Sequence, residues 1–454
     1  VLHTATRVEL RDSAHADAHL RRAAALAGLV RQSIDRLREG VTNGRTPPDR
    51  AVSASIDELD RYLAVPVEED GFVTTSLPDD VGDPAAWRAS MVEVVAEVLR
   101  PALVEYRSCL EGEVGPEARS ADRAGLCWLP DGDELYAMVV RSQTSTDLTP
   151  DEIHALGIER LATIEAEMAG LAPGVLGVRN PAEVRSRLRD DPALRFCSGD
   201  DIIAVAETAI ERALAVAPSW FGRLPVANVV VRAIPELEAV GGPRAYYDIA
   251  RAGGEPATYW ANTSKPTDTP TYDAEAVAFH EAVPGHHLQL SIALELEGLH
   301  LFRKLTLAPA YAEGWGLYAE ALADEMGLYS DDLQRLGRLS LEAMRAARLV
   351  VDTGLHKKGW DRRRAIAFVL DNTAWPTADA TKEVDRYLAI PGQALSYAVG
   401  QREFVRLRRR AQTHLGSAFD IGAFHDVVLG EGTLPLDVLS AHVERWLTTG
   451  AAGT

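Results

Sequence analysis

The segment Ala276-Val-Ala-Phe-His280-Glu281-Ala282-Val283-Pro284-Gly285-His286-His287-Leu288-Gln289 stands apart from the rest of the chain. Three of the twelve histidines and one glutamate fall here within eight residues. Neutral imidazole and carboxylate are the usual nitrogen and oxygen ligands of zinc. A His-Glu pair on a helix also supplies a ligand with a general base beside it, as in HExxH metallopeptidases. Here, however, the residue four places after His280 is Pro284, and the next histidines come six and seven places on. Read as a helix that breaks at Pro284, the segment opens a succession of helices running from about residue 272 to 446.

Helix geometry narrows the ligand set. At 100° per residue His286 lies about 120° away from the face of His280, whereas His287 lies within about 20° of it. An unbroken helix therefore selects His287, but at about 10.5 Å along the axis, a long reach for two ligands of one ion. Pro284 has no N–H for the carbonyl of His280 and its ring clashes there, so a kink or bulge is expected. With Val283 and Pro284 looped out, His286 takes the i+4 place. That arrangement favours His286, and His287 stays a candidate.

A third ligand must come from another helix. Tyr311-Ala-Glu313-Gly-Trp315-Gly-Leu-Tyr318-Ala-Glu320 is an apolar, aromatic stretch with few charges. A glutamate on such a face is costly to bury unless it meets a cation. Glu313 follows His286 by 27 residues, enough for a helix, a turn and a returning helix. Glu320, seven residues later on the same face, is either a partner of a ligand or merely a charge at the rim.

The remaining composition is that of an ordinary globular protein. Hydrophobic residues make up 46% and charged residues 25% of the 454 positions, enough for a sizeable core. A formal charge of −20 excludes nucleic acid as a natural partner. The cysteines Cys109, Cys127 and Cys197 are far apart and have no CxxC spacing, so they form neither a disulfide framework nor a thiolate site. No apolar run is long enough for a membrane-spanning segment. Because the sequence starts at Val1 rather than Met, export stays open beside a cytoplasmic location. Oligomeric state is not legible.

Along the chain, residues 14–40 read as a helix stopped by Gly40, and 90–113 as a helix interrupted by Pro101. LYAMVV (135–140) reads as a short strand after a Pro-Asp-Gly turn. Thr149-Pro-Asp-Glu152 is a capping box opening a helix of about 150–170. Residues 199–216 read as helix, and 225–233 and 256–262 as strands. The expected architecture is mainly α with a small sheet, as an N-terminal helical region 1–200 and a catalytic helical region 201–454 sharing one cleft.

Four motifs in order, HEAVPGHHLQ, YAEGWGLYAE, RLVVDTGLHKKGW (348–360) and PGQALSYAVGQ (391–401), resemble the DUF885 family of bacterial proteins, over roughly residues 20–446. That family is similar to zinc peptidases of the helical gluzincin kind. The resemblance implies a large helical domain with a deep active-site cleft and one Zn2+ per chain. Its ligands would be His280, His286 or His287, and Glu313, with Glu281 as general base. The HExxxGHH spacing departs from HExxH and leaves the second histidine open. His356 and Tyr397 are the candidates for stabilising an oxyanion, against ordinary roles in the core.

Arg348 and Asp352 are spaced for an i,i+4 ion pair, and Arg348 is alternatively a binder of a peptide carboxylate. Tyr259 and Asn262 lie on a presumed edge strand that could pair with extended substrate. The expected function is hydrolysis of peptide or amide bonds in short peptides. A non-haem iron redox protein is a weaker alternative, since only Glu297-Gly-Leu-His300 matches a Glu-x-x-His motif. An inert metal-binding scaffold is another.

Overall fold

The computed structural model describes residues 6, 8–239, 242–250, 256–305 and 308–450. Helix accounts for 71% of the chain and strand for 4%, which meets the mainly α expectation. The chain divides into two compact units, Val1–Gly132 with Gly359–Arg362, and Asp133–Lys358 with Arg363–Thr454. The boundary thus falls at 132/133, and residue 200 lies inside a helix of the second unit.

In the first unit, α1 (Ser13–Thr42), α2 (Asp49–Ala64), α3 (Pro84–Val94) and α4 (Arg100–Cys109) surround a core of Leu26, Ile34, Trp87, Met91, Leu99 and Leu103. Helix α1 runs past Gly40, and the left-handed residue is Gly44 at φ 65°. Pro101 does not break its helix. A π-helical turn at Val95–Leu99 precedes it and rearranges the carbonyls that its missing N–H would have served.

The second unit begins with α5 (Gly132–Thr144), where a strand was expected. Tyr136, Val140 and Thr144 are buried while Met138 is 61% exposed, so the apolar face recurs every four residues and not every two. Helix α6 (Pro150–Val175) starts at the Thr149/Glu152 capping box, followed by α7 (Pro181–Asp190) and α8 (Gly199–Val216). Three strands follow, β1 (Val229–Ala233), β2 (Ala245–Asp248) and β3 (Ala257–Ala261). The sheet order is β1-β3-β2, with β1 parallel and β2 antiparallel to β3. The strand holding Tyr259 is therefore the central one. Both its edges are taken, which closes it to pairing with a substrate.

The longer helices that follow are α9 (Ala274–Glu281), α10 (His286–Glu295), α11 (Pro309–Glu325), α12 (Asp332–His356), α13 (Arg362–Asn372), α14 (Thr377–Ala389), α15 (Ser396–Leu415), α16 (Ile421–Leu429) and α17 (Leu436–Thr449). Every residue of α12 from Leu336 to His356 is buried, although it carries Arg338, Glu342, Arg345, Arg348 and Asp352. Ion pairs and hydrogen bonds answer these charges. Glu342 takes Arg160 and Arg338, and Arg345 takes Glu320. Helices α6 and α12 lie close together because α6 has Gly157 at the contact, where a Cβ would stand 2.7 Å from Val350.

Candidate metal centre

The site assembles where α9 stops. Helix α9 ends at Glu281, four residues cross the break, and α10 begins at His286. The amide of His287 reaches the carbonyl of Ala282 at 3.1 Å, so Val283, Pro284 and Gly285 form the loop that Pro284 demands. Across this break the His280 and His286 rings stand edge to face, with centroids 4.8 Å apart.

Glu313 of α11 closes the trio. Its Oε2 lies 3.5 Å from His280 Nε2 and 3.7 Å from His286 Nε2. One ligand atom from each residue falls within 4.8 Å of the others. In a tetrahedral zinc site with bonds of about 2.1 Å, ligand atoms sit about 3.4 Å apart, close to the two histidine–glutamate separations here. Of the two candidate second histidines, His286 joins the trio and His287 does not. The Nδ1 of His287 lies 3.1 Å from Tyr247 Oη and 3.3 Å from Ser291 Oγ.

The consecutive residues Glu313-Gly314-Trp315-Gly316 each have a separate task. Glu313 faces the histidines. Gly314 lets α15 approach, since a Cβ there would stand 2.4 Å from Gly400 Cα. Trp315 donates its indole N–H to the carbonyl of Pro284 at 2.9 Å, tying α11 to the break. Gly316 leaves room for the ring of His280, which a Cβ would approach to 2.5 Å.

One turn further on, the buried Glu320 lies 2.7 Å from His280 Nδ1. This contact turns Nε2 of His280 towards Glu313. Arg345 of α12 pairs with Glu320 at 2.7 Å and comes within 3.5 Å of His280 Nδ1. Burial opposes charge on His280, yet the Glu313 and Glu320 carboxylates raise its pKa to about 9. Burial also works against the Glu313 anion, but His280 and His286 hold its carboxyl well below the usual range. Burial pushes Glu281 up, with Glu313 adding to the effect and His286 and His280 opposing it. No hydrogen bond or ion pair among the described residues engages the Glu281 carboxylate. Three carboxylates, Glu281, Glu313 and Glu320, lie beside Arg345 and the His280 ring, a set with a formal negative surplus that a divalent cation offsets.

The other predicted residues divide. The phenol of Tyr397 on α15 is raised by burial and then by the charge of Glu313. Arg348 lies 4.7 Å below the Tyr397 ring. It does not pair with Asp352 but with Glu383 at 3.1 Å, while Asp352 accepts from Tyr136 Oη at 2.6 Å and from Gly392 N at 3.0 Å. His356 is fully buried, with Nε2 3.1 Å from the carbonyl of Tyr387 and its ring against Tyr136. It follows Arg345 by eleven residues, about 16 Å along α12, which separates it from the trio. Tyr259 is buried under α9, where the Glu281 charge adds to burial in raising its phenol. Asn262 brackets a loop, donating to the carbonyls of Ala239 and Pro243 and accepting from Ser264. Sequence reasoning missed Arg345 and Glu383. The signal for Arg345 is a spacing of seven, Arg338-Arg345-Asp352, on an otherwise apolar helix.

Fold and site together define a mostly helical protein with a partly buried His-His-Glu cluster that could hold a metal ion. By its match over residues 2–443, the chain belongs to the family described as bacterial protein of unknown function DUF885. It is similar to a crystal structure described as the "putative lipoprotein" of Colwellia psychrerythraea, at 28% identity and a TM-score of 0.90. That match covers 98% of this chain and 78% of the other. A lipoprotein of unknown function from Shewanella oneidensis, described in the same terms, shares the fold at 17% identity and a TM-score of 0.66, with 96% and 94% covered. No curated protein matches the chain.

Proposed function

We propose that this protein is a zinc-dependent hydrolase of peptide or amide bonds acting on short peptides. The observation that carries the reading is the convergence of His280, His286 and Glu313 beside Glu281, a carboxylate that no hydrogen bond or ion pair engages among the described residues. Zinc held by these three residues would supply a Lewis acid that polarises the scissile carbonyl and acidifies water. Glu281, raised by burial, accepts a proton from the attacking water and delivers it to the leaving amine. Glu320 and Arg345 fix the tautomer and orientation of His280. The phenol of Tyr397, which feels the Glu313 charge, would donate to a developing oxyanion. His356 is assigned no such role, since it is fully buried and its Nε2 faces the carbonyl of Tyr387. The pair Glu297 and His300 is exposed, so nothing at the trio favours a di-iron site.

Elemental analysis of the purified chain tests the metal, with His280→Ala and Glu313→Ala as controls. About one zinc per chain, lost in both variants, is the expected result. Glu281→Gln should then keep the metal and lose about 10²–10⁴-fold in peptide hydrolysis. Iron in place of zinc, or failure to bind any metal, overturns the reading.

A further inference from the structure

We propose that Arg348 binds the C-terminal carboxylate of the substrate, so that the protein acts on peptides with a free C-terminus. The inference rests on the hydrolase reading and names the substrate class of the same site.

Arg348 lies one helical turn beyond Arg345, the residue that touches the ring of His280. The residue is 92% buried, and its guanidinium lies over two rings, Tyr397 at 4.7 Å and Trp375 at 5.9 Å. Nε donates to Tyr387 Oη and Nη2 to Glu383, each at 3.1 Å. Nη1 has no partner among the described residues. A guanidinium carries five N–H donors in a rigid fork, and two of its three nitrogens are used here.

Charge points the same way. Glu383 is shared, because it also takes Arg386 at 2.7 Å. Arg348 therefore has only a shared carboxylate as its ion-pair partner among the described residues. A buried cation in that state is costly unless an anionic ligand completes it. Tyr397 packs its ring on Arg348, and Arg345, one turn earlier on the same helix, reaches His280, so this cation adjoins the candidate site. A peptide whose scissile carbonyl lies beside Tyr397 thus has an arginine fork within reach of a carboxylate beyond it. Arginine is the side chain suited to planar carboxylate recognition.

The test is calorimetric titration of the zinc-loaded Glu281→Gln chain with N-acetyl-trialanine, once as the free acid and once as its C-terminal amide. The acid should bind at least tenfold more tightly. Adding Arg348→Met should bring that ratio close to one, and Arg348→Lys should leave it in between. Equal binding of acid and amide, no binding of the acid, or a ratio that survives Arg348→Met overturns the proposal. If Arg348→Met fails to fold, the ratio in the parent chain and in Arg348→Lys still decides. Cleavage of the two peptides by the unsubstituted chain separates this inference from the one beneath it. Equal cleavage of both keeps the hydrolase and removes the carboxylate site. Selective binding without cleavage keeps the carboxylate site and removes the hydrolase.

Discussion

Gly316 is the residue on which the ring of His280 rests, and the absence of a side chain there is a condition for the site. A Cβ would stand 2.5 Å from Cε1 and 2.7 Å from Nε2 of His280. The ring has no easy retreat, since Nδ1 is bonded to Glu320 on its other side. Gly316→Ala should therefore lower zinc affinity while leaving the far-ultraviolet spectrum unchanged, read by competition with a chromogenic chelator. The same titration separates the two adjacent histidines. His286→Gln should abolish binding of one zinc per chain and His287→Gln should not, because His287 faces Tyr247 and Ser291. Loss of metal in His287→Gln alone would reverse the assignment. Glu320→Gln belongs to the same scale: an amide in place of the carboxylate that orients a metal-ligating histidine costs about 10–100-fold in affinity.

Pairs of helices set these residues in place, and α11 against α15 is the closest of them at the site. Gly400 of α15 would put a Cβ 1.9 Å from the carbonyl of Ala310, so Gly400→Ala must push the two helices apart. Overpacking of this kind costs about 1–3 kcal/mol, and it also separates Glu313 on one helix from Tyr397 on the other. Denaturant unfolding and metal titration of the variant should both register it. A second element-level contact predicts an acid limit. His425 of α16 lies 2.9 Å from Tyr318 Oη through Nε2 and 2.9 Å from the carbonyl of Trp220 through Nδ1. That pattern fits the neutral ring, and burial pulls its pKa down to about 3. The unfolded chain takes up this proton near pH 6.5 and the folded chain does not, so stability is full above that pH and falls below it. About 2 kcal/mol should be lost by pH 5 from this group, and His425→Gln should flatten that part of the profile. At this scale much was legible in the sequence. The Thr149/Glu152 box, the break at Pro284 and the helix 199–216 were carried by local chemistry. What escaped depended on partners distant in sequence. LYAMVV has strand-like residues, but the burial of Tyr136 and Val140 made it helical. Residues 257–261 look like an edge strand until β1 and β2 are known to flank them. Arg348 and Asp352 have the spacing of an ion pair, yet Glu383 and Tyr136 are better placed.

Across the whole molecule, metal binding should stabilise one region and leave another unchanged. The three candidate ligands, the Glu320–Arg345 pair and Tyr397 all belong to the unit Asp133–Lys358 with Arg363–Thr454. The unit Val1–Gly132 with Gly359–Arg362 has its own core of Ile34, Trp87, Met91, Leu99 and Leu103. A ligand that binds only the folded state stabilises it by about 4 kcal/mol when present at a thousand times its dissociation constant. That free energy acts on whatever must open to release the ion. Removing zinc leaves His280, His286 and Glu313 with Glu281 and Glu320 beside them, and the excess negative charge is then answered only by protons and Arg345. Amide hydrogen exchange, followed by mass spectrometry with and without chelator, should therefore quicken in 274–295 and 309–325. Segment 338–348 should follow, because Arg345 is tied to Glu320. Exchange in 13–42 and 84–109 should stay the same, since the core there holds no part of the site. In Glu313→Ala the chelator should make no difference anywhere. Uniform quickening along the chain would mean that the ion holds the fold as a whole, and no change at all would mean that the trio binds no metal.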